Sequence, residues 1–140
     1  MKLTQAQMDR KIDEHFGFEA ADDVEGVLST LAENVEHDIV GLPTGPTHGR
    51  TATRPFYESL FQDLTESSVT PVRRLYGDDF LVDESHWSGK AVGRPFGLEG
   101  KGRPLDFRIL HVIEFAGDGA IKRENVWLDF AAIVQQLPQG

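Results

Sequence analysis

The chain has 140 residues, and its 14 Lys+Arg against 23 Asp+Glu give a formal net charge of −9. Because this balance repels phosphate backbones and anionic lipid head groups, it excludes nucleic acids and membrane surfaces as favoured partners. No apolar run approaches the roughly 20 residues of a membrane span, and the N-terminal segment lacks the apolar core of a signal peptide, so we expect a cytoplasmic protein. The length predicts a single domain over residues 1–140. The sequence contains no cysteine, which excludes disulfides, thiolate zinc sites and a thiol nucleophile.

Two helices are predicted at the beginning of the chain. Apolar residues at helical spacing predict an amphipathic helix from Thr4, its cap, to about Phe18. A second, short helix should begin after a cap at Asp22 or Asp23 and end near Asn34.

A strand, a loop and a third helix are predicted next. The segment from Val35 to Gly41 has strand character, and "LPTGPTHGR" has the Pro and Gly content of a loop. Thr53 is the predicted cap of the third helix, with Pro55 in its first turn.

The second half of the chain predicts two β-hairpins and a closing helix. In "VTPVRRLYGDDFLVDESHWSG" the "GDD" suits a tight turn between two extended runs. "LDFRILHVIEF" is joined to "AIKRENVWL" by "AGDG", again a turn sequence. The run from Phe130 to Leu137 should be helical before Pro138. Helices packed on one face of a mainly antiparallel sheet make an α+β domain.

Alternation along the last two strands sorts their side chains between the two faces of the sheet. On the last strand, the face that we expect to meet a pocket carries Ile121, Arg123, Asn125 and Trp127, with Asp129 continuing the same parity. On its partner strand, Phe107, Ile109, His111, Ile113 and Phe115 share a face. A histidine in such an apolar row is predicted to point into the core or a cavity.

The order of these elements, with "HGRTATRPFYESLFQDL" before the sheet and "GAIKRENVWLDFAAIVQQL" at the end, resembles the nuclear transport factor two-like superfamily. Within it, the chain resembles the SnoaL-like polyketide cyclase and ester cyclase branch. The resemblance implies a cone-shaped fold, in which a curved, mainly antiparallel sheet wraps three N-terminal helices and a short C-terminal helix follows. It also implies a pocket at the wide end and a homodimer through the outer face of the sheet.

The resemblance also suggests where the functional side chains lie. It places Trp127 and Asp129 toward the cavity, and His86 and His37 inward as well. Asp129 is the predicted principal acid/base, with His111 and His86 assisting. The predicted substrate-binding residues are Trp127, Asn125, Arg123, His37 and Phe107.

These residue types suit proton transfer next to a carbonyl group. A carboxylate or an imidazole in an apolar pocket has a shifted pKa and can remove or return a proton. The predicted function is therefore that of a polyketide cyclase or isomerase acting by enolate chemistry on a small apolar or aromatic carbonyl compound. That chemistry needs neither a metal nor a cofactor, and we expect none.

A non-catalytic reading remains open at this point. Asp129 precedes a helical run and is a good N-cap, which alone contributes about 1 kcal/mol. A domain that binds a small hydrophobic ligand, or that dimerises as an accessory subunit, would keep the same pocket. The sequence names no individual substrate.

Overall fold

The computed structural model describes residues 2–140 and confirms the α+β fold class. The helices are α1 (Gln5–Ala20), α2 (Val24–Ser29), α3 (Arg50–Asp63) and α4 (Phe130–Gln136). The strands are β1 (Leu31–Val40), β2 (Thr47–His48), β3 (Leu64–Tyr76), β4 (Phe80–Ala91), β5 (Arg103–Phe115) and β6 (Ile121–Leu128). No helix in this described range is both long and apolar enough to cross a membrane.

The six strands form one sheet in the order β2-β1-β6-β5-β4-β3. The pairing of β1 with β6 is parallel, and every other neighbouring pair is antiparallel. The two predicted hairpins, β3–β4 and β5–β6, are confirmed. A central core between the first three helices and the sheet contains Met8, Ile12, Val27, Leu31, Val35, Leu81, Ile113 and Ile121.

The predicted cap of α1 is confirmed by its hydrogen bonds. The Thr4 hydroxyl accepts from the backbone N–H of Gln7 at 3.1 Å, and the Gln7 side chain accepts from the Thr4 N–H at 2.8 Å. This reciprocal capping box satisfies two N–H groups that have no partner within the helix.

The predicted end of the second helix is wrong. The helix α2 ends at Ser29, and Leu31 begins β1 by pairing with Ile121 of β6. The backbone N–H of Ile121 donates to the Thr30 carbonyl at 2.9 Å. Sheet pairing therefore overrides the helical spacing of the apolar residues.

The third helix begins earlier than predicted. Its N-cap is Gly49, whose φ of 90° is in the left-handed region that glycine tolerates. Thr53 lies inside α3, where its hydroxyl donates to the Gly49 carbonyl at 2.9 Å. Pro55 also lies inside the helix rather than at its start.

A β-bulge in β6 changes which side chains point inward. Phe115 pairs with Ile121 and the preceding Glu114 pairs with Arg123, so one step on β5 corresponds to two on β6. The extra residue reverses the alternation beyond it, because side chains change faces with a period of two. Ile121 is fully buried, and the next inward side chain is Glu124 instead of Arg123.

Candidate functional site

A cavity of about 390 Å³ lies between the inner face of the sheet and helices α1 and α3. Its aromatic lining residues are Phe16, Phe56, Tyr57, Phe61, Trp87, Phe96 and Phe107. Trp87 stacks on Phe107 with ring centroids 5.0 Å apart and planes 19° apart. Pockets for small molecules have this volume and this mainly apolar lining.

Exposed lining residues mark where the cavity opens. They are Asp13, Ala20 and Asp22 near the C-terminal half of α1, and Ser67, Val69 and Pro71 on β3. The opening therefore lies between α1 and the edge strand β3.

Glu124 of β6 is the centre of a buried polar cluster on the cavity wall. Its side chain is 1% exposed, and Tyr57 of α3 donates its hydroxyl proton to Oε1 at 2.9 Å. The Nε2 atoms of three histidines surround the carboxylate: His15 (3.3 Å), His37 (3.7 Å) and His111 (3.8 Å). A buried carboxylate is costly unless it is paired and hydrogen-bonded, and this cluster supplies both.

His15 of α1 is held as the cation of the cluster. The Thr30 hydroxyl donates to the Val27 carbonyl at 2.6 Å, so it accepts from His15 Nδ1 at 2.7 Å. His15 Nε2 lies 3.1 Å from Glu19 and 3.3 Å from Glu124. Burial acts to lower the pKa of His15, but these two carboxylates outweigh it and raise the pKa to about 10.

The same contacts keep Glu124 ionised and Tyr57 protonated. Burial acts to raise the pKa of Glu124, but His15 above all, with His37 and His111, holds it well below its usual range. Burial, reinforced by the nearby Glu124, raises the pKa of Tyr57 well above its usual value.

His37 of β1 is neutral, and its tautomer follows from its neighbours. Because the Tyr57 hydroxyl donates to Glu124, its oxygen accepts from His37 Nε2, which lies 3.2 Å away. Burial lowers the pKa of His37, and the Coulomb attraction of Glu124 only partly opposes this. The neutral ring therefore carries its lone pair on Nδ1.

His111 of β5 has an unused ring nitrogen. The residue is 7% exposed and lines the cavity, where its ring lies against Phe16 with centroids 4.9 Å apart. Its Nδ1 is buried and has no hydrogen-bond partner among the described residues. Buried polar atoms are rarely left in this state, which distinguishes His111 from the other polar residues that line the cavity.

A second polar group lies nearer the opening. Arg74 of β3 donates to Asp83 at 2.7 Å, to Asp13 at 2.7 Å and to Asp9 at 3.0 Å. Ser85 donates its hydroxyl proton to the buried Asp83 at 2.7 Å. The single guanidinium is thus matched by three carboxylates.

The structure confirms the predicted inward orientation of three site residues. His111 and Phe107 of β5 and His37 of β1 all line the cavity. For β5 the expectation came from an uninterrupted alternation, which the structure preserves as far as Phe115.

The predicted inward face of β6 is wrong. Because of the bulge, Glu124, Val126 and Leu128 line the cavity, and Trp127 is 42% exposed on the other face. On that outer face Arg123 pairs with Glu36 at 2.7 Å and donates to Asn125 Oδ1 at 3.0 Å. Neither Arg123 nor Asn125 lines the cavity.

Asp129 lies outside the cavity and caps α4. Its side chain accepts from the backbone N–H of Ala132 at 3.3 Å, and the residue is exposed. The expected inward orientation is wrong for this residue because it depended on the same alternation, which the bulge reverses.

The predicted inward orientation of His86 is also wrong. His86 is exposed and lies 3.2 Å from Asp106 of the neighbouring strand. Its neighbour Trp87 takes the inward position, where it packs against Phe107. Burial of the larger aromatic surface sets the register of β4.

Four important residues of the site were not predicted: Glu124, Tyr57 and Trp87, which line the cavity, and His15, which lies behind Glu124. His15 had a detectable signal, since it follows Met8 and Ile12 on the buried face of α1. Glu124 alternates with Val126 and Leu128, but only knowledge of the bulge identifies that face as the inner one.

Ligand atoms of His15, Glu19 and Glu124 all lie within 4.8 Å of one another, which is close enough for a metal ion. His15 Nε2 already donates to Glu124 at 3.3 Å and lies 3.1 Å from Glu19. We therefore assign the three residues to an ion-pair network.

Comparisons with known proteins agree with this architecture. TsrD from Streptomyces laurentii is 17% identical, with a TM-score of 0.82 over 97% of this chain and 98% of that one. A putative SnoaL-like polyketide cyclase from Jannaschia is 14% identical, with a TM-score of 0.85 over 100% and 99%. A putative polyketide cyclase from Xanthomonas campestris is 18% identical, with a TM-score of 0.75 over 95% and 98%. At these identities the likeness shows a shared fold.

A comparison with curated proteins gives no match. The sequence profile of the SnoaL-like polyketide cyclases matches residues 7–137, nearly the whole chain. The chain belongs to the SnoaL-like polyketide cyclase family.

Proposed function

We propose that this protein catalyses acid/base enolate chemistry on a ring-forming carbonyl compound, as a cyclase or isomerase. The observation that carries the proposal is the His111 side chain. It lines an apolar cavity, its Nδ1 has no partner among the described residues, and its Nε2 faces the ionised Glu124 at 3.8 Å. Such a pairing of an imidazole with a buried carboxylate is typical of a general base.

His111 is the proposed catalytic residue. Its neutral imidazole takes a proton from the carbon next to a substrate carbonyl, and the electrons of that C–H bond form an enolate. In ring closure, the enolate carbon attacks a second carbonyl carbon of the same molecule and forms a C–C bond. The resulting alkoxide takes the proton back from the His111 imidazolium, so no co-reactant is consumed. In isomerisation the proton returns to a different atom.

Glu124 is the proposed positioning residue for His111. Its negative charge stabilises the imidazolium that forms during the reaction, which is worth more in a cavity that excludes water. His15 and Tyr57 fix the carboxylate from two other sides at 3.3 and 2.9 Å. His37 is a second candidate for proton transfer, because its neutral Nδ1 lone pair belongs to a ring that also lines the cavity.

The lining supports a flat, apolar substrate. Trp87 and Phe107 provide a stacked aromatic pair, and Phe16 covers one side of His111. Aromatic side chains of this kind pack well against rings.

A deuterium-exchange experiment tests the proposal without knowledge of the product. Carbonyl compounds of increasing ring size, including β-dicarbonyl esters, are incubated with the protein in D₂O, and loss of the α-proton signal is followed by NMR. Enzyme-dependent exchange is expected for at least one compound and should fall by about 100-fold or more in His111→Phe, which keeps an aromatic ring against Phe16. His86→Gln is the matched control, because His86 lies on the outer face. Exchange that persists in His111→Phe would remove His111 from the mechanism.

A non-catalytic ligand-binding role is the second candidate. It is favoured by the number of internal partners that Glu124 already has, since His15 and Tyr57 occupy both of its oxygens. In that case the compounds would bind the cavity with no exchange above the uncatalysed rate.

We propose a homodimer through the outer face of the sheet. The support is the exposed apolar surface there: Trp127 is 42% exposed and its neighbour in the parallel pairing, Val40, is 37% exposed. Light scattering after gel filtration should give twice the mass of 15.6 kDa. Trp127→Glu should shift the mass toward the monomer, because a buried unpaired charge is costly.

A further inference from the structure

The charged residues around the cavity are unevenly distributed. Of the described residues that line it, five are acidic: Asp13, Glu19, Asp22, Asp83 and Glu124. Arg74 is the only lysine or arginine in that lining set. With five negative carboxylates, the positive charge of Arg74 and the positive charge of His15 behind Glu124, the net charge is −3.

Arg74 of this set and the nearby His15 are already neutralised by their neighbours. Arg74 is held between Asp83, Asp13 and Asp9, and His15 lies between Glu19 and Glu124. Neither has a charge left over for an anionic ligand. A carboxylate or phosphate entering the cavity would therefore meet only unfavourable charge.

The opening of the cavity adds further negative charge that an anionic ligand would meet. Asp22 is exposed there and forms no salt bridge with any residue in the range 2–140. The C-terminal end of α1, which carries the negative end of the helix dipole, lies beside it. No basic residue lies in the last turn of α1 to offset that end.

The interior points to a ligand independently of these acids. His111, which is 7% exposed and whose Nδ1 has no partner among the described residues, lines a chamber walled by aromatic rings. The faces of Trp and Phe rings attract cations as well as apolar groups. A ring system carrying a protonated amine would satisfy both the walls and the acidic opening.

We propose that the cavity selects a ring compound that bears a protonated amine over its neutral and, above all, its anionic analogues. The inference rests on the proposed function in taking this cavity as the substrate site, and it names the class of substrate. The amine lies toward Asp22 and Glu19 at the opening, and the ring lies against Trp87 and Phe107.

Binding of three probes with one ring tests this proposal. They are 2-(2-naphthyl)ethylamine, 2-(2-naphthyl)ethanol and 2-naphthylacetate, measured by isothermal titration calorimetry at pH 7 and low salt. We expect the amine to bind about tenfold more tightly than the carboxylate, with the alcohol between them. The difference should shrink when the salt concentration is raised to about 1 M.

Asp22→Asn is the matched variant, because Asn tolerates the φ of 54° found at this position. Asp22→Asn should weaken binding of the amine by a few-fold and leave binding of the alcohol unchanged. The control is Glu14→Gln, an exposed change on α1 outside the cavity lining, which should alter the binding of neither probe. Equal or tighter binding of the carboxylate, no binding of any probe, or an Asp22→Asn variant identical to the parent would each overturn the inference. Calorimetry measures binding without any proton exchange, so the outcome is independent of the deuterium experiment on His111.

Discussion

The Nε2 atom of His37 lies 3.2 Å from the hydroxyl oxygen of Tyr57, and that hydroxyl donates onward to Glu124 at 2.9 Å. The direction of the second bond fixes the first, because one hydroxyl proton cannot serve both neighbours. His37 therefore donates through Nε2, whereas His15 is protonated on both nitrogens. Two histidines that contact the same carboxylate thus differ in charge.

This difference is directly observable by NMR. In a ¹⁵N-labelled sample at pH 7.5, His15 should give the signals of an imidazolium, because its pKa is raised to about 10. His37 should give those of the neutral Nε2–H tautomer. Glu124→Gln should bring His15 toward neutrality, because the largest attractive charge on it is removed. A neutral His15 in the parent protein would contradict the ion-pair assignment.

The Tyr57 hydroxyl should contribute measurably to stability. Tyr57→Phe removes a buried donor to Glu124 and a buried acceptor for His37, so the free energy of unfolding should fall by about 1–3 kcal/mol in urea. Tyr76→Phe is the control, because Tyr76 also donates to a carboxylate, that of Asp9 at 2.6 Å, but at a partly buried site outside the Glu124 cluster. The loss of unfolding free energy in Tyr76→Phe should be smaller than in Tyr57→Phe. Equal losses in the two variants would show that the buried network adds nothing of its own.

The stability of the fold should depend on pH through His15. Its pKa is about 10 in the folded state and 6.5 by model value, so its stabilising contribution is complete below pH 6.5 and is lost as the pH rises toward 10. The parent should therefore lose more stability between pH 6.5 and 10 than His15→Gln does, measured by chemical denaturation at each pH. Parallel curves for the two proteins would mean that His15 is neutral in the fold.

Trp87 should matter far more than Trp127. Trp87→Ala removes a buried ring stacked on Phe107 and should cost about 3–5 kcal/mol of unfolding free energy. Trp127→Ala, at an exposed position, should cost less than about 1 kcal/mol in the monomer. In single-tryptophan variants, ligands of the cavity should quench the fluorescence of Trp87 and leave that of Trp127 unchanged.

Asp129 should behave as a helix cap and nothing more. Asp129→Asn keeps an acceptor for the Ala132 N–H and should leave both stability and deuterium exchange unchanged. Asp129→Ala should cost about 1 kcal/mol of stability, again with exchange intact. Loss of exchange in Asp129→Asn would restore Asp129 to the mechanism.

The order of secondary structure could be predicted because it depends on local signals. The Thr4 cap, the turn sequences of the two hairpins and the uninterrupted alternation of β5 are all properties of short segments. Alternation was sufficient to predict that His111 and Phe107 point inward.

The candidate site could be predicted only in part, because it depends on long-range pairing. The bulge opposite Glu114 and Phe115 is invisible in the sequence of β6, yet it brings Glu124 inside and turns Trp127 outside. Likewise, nothing local decides between His86 and Trp87; the contact with Phe107 across the sheet does. Glu124 itself is neutralised by His15 of α1, 109 positions away, and hydrogen-bonded by Tyr57 of α3, 67 positions away.

The bulge of β6 also has an evolutionary consequence. Deleting one of the two residues between Ile121 and Glu124 would remove the bulge and still leave Glu124 opposite Ile113, on the inner face. If β6 instead kept its length and paired without the bulge, simple alternation from Ile121 would turn Arg123 inward and Glu124 toward solvent. The chamber would then lose its anion, and His15 would lose its counter-charge. A local change in strand pairing, with no substitution of any side chain, would thus convert the interior from acidic to basic and redirect the molecules that this scaffold can accept.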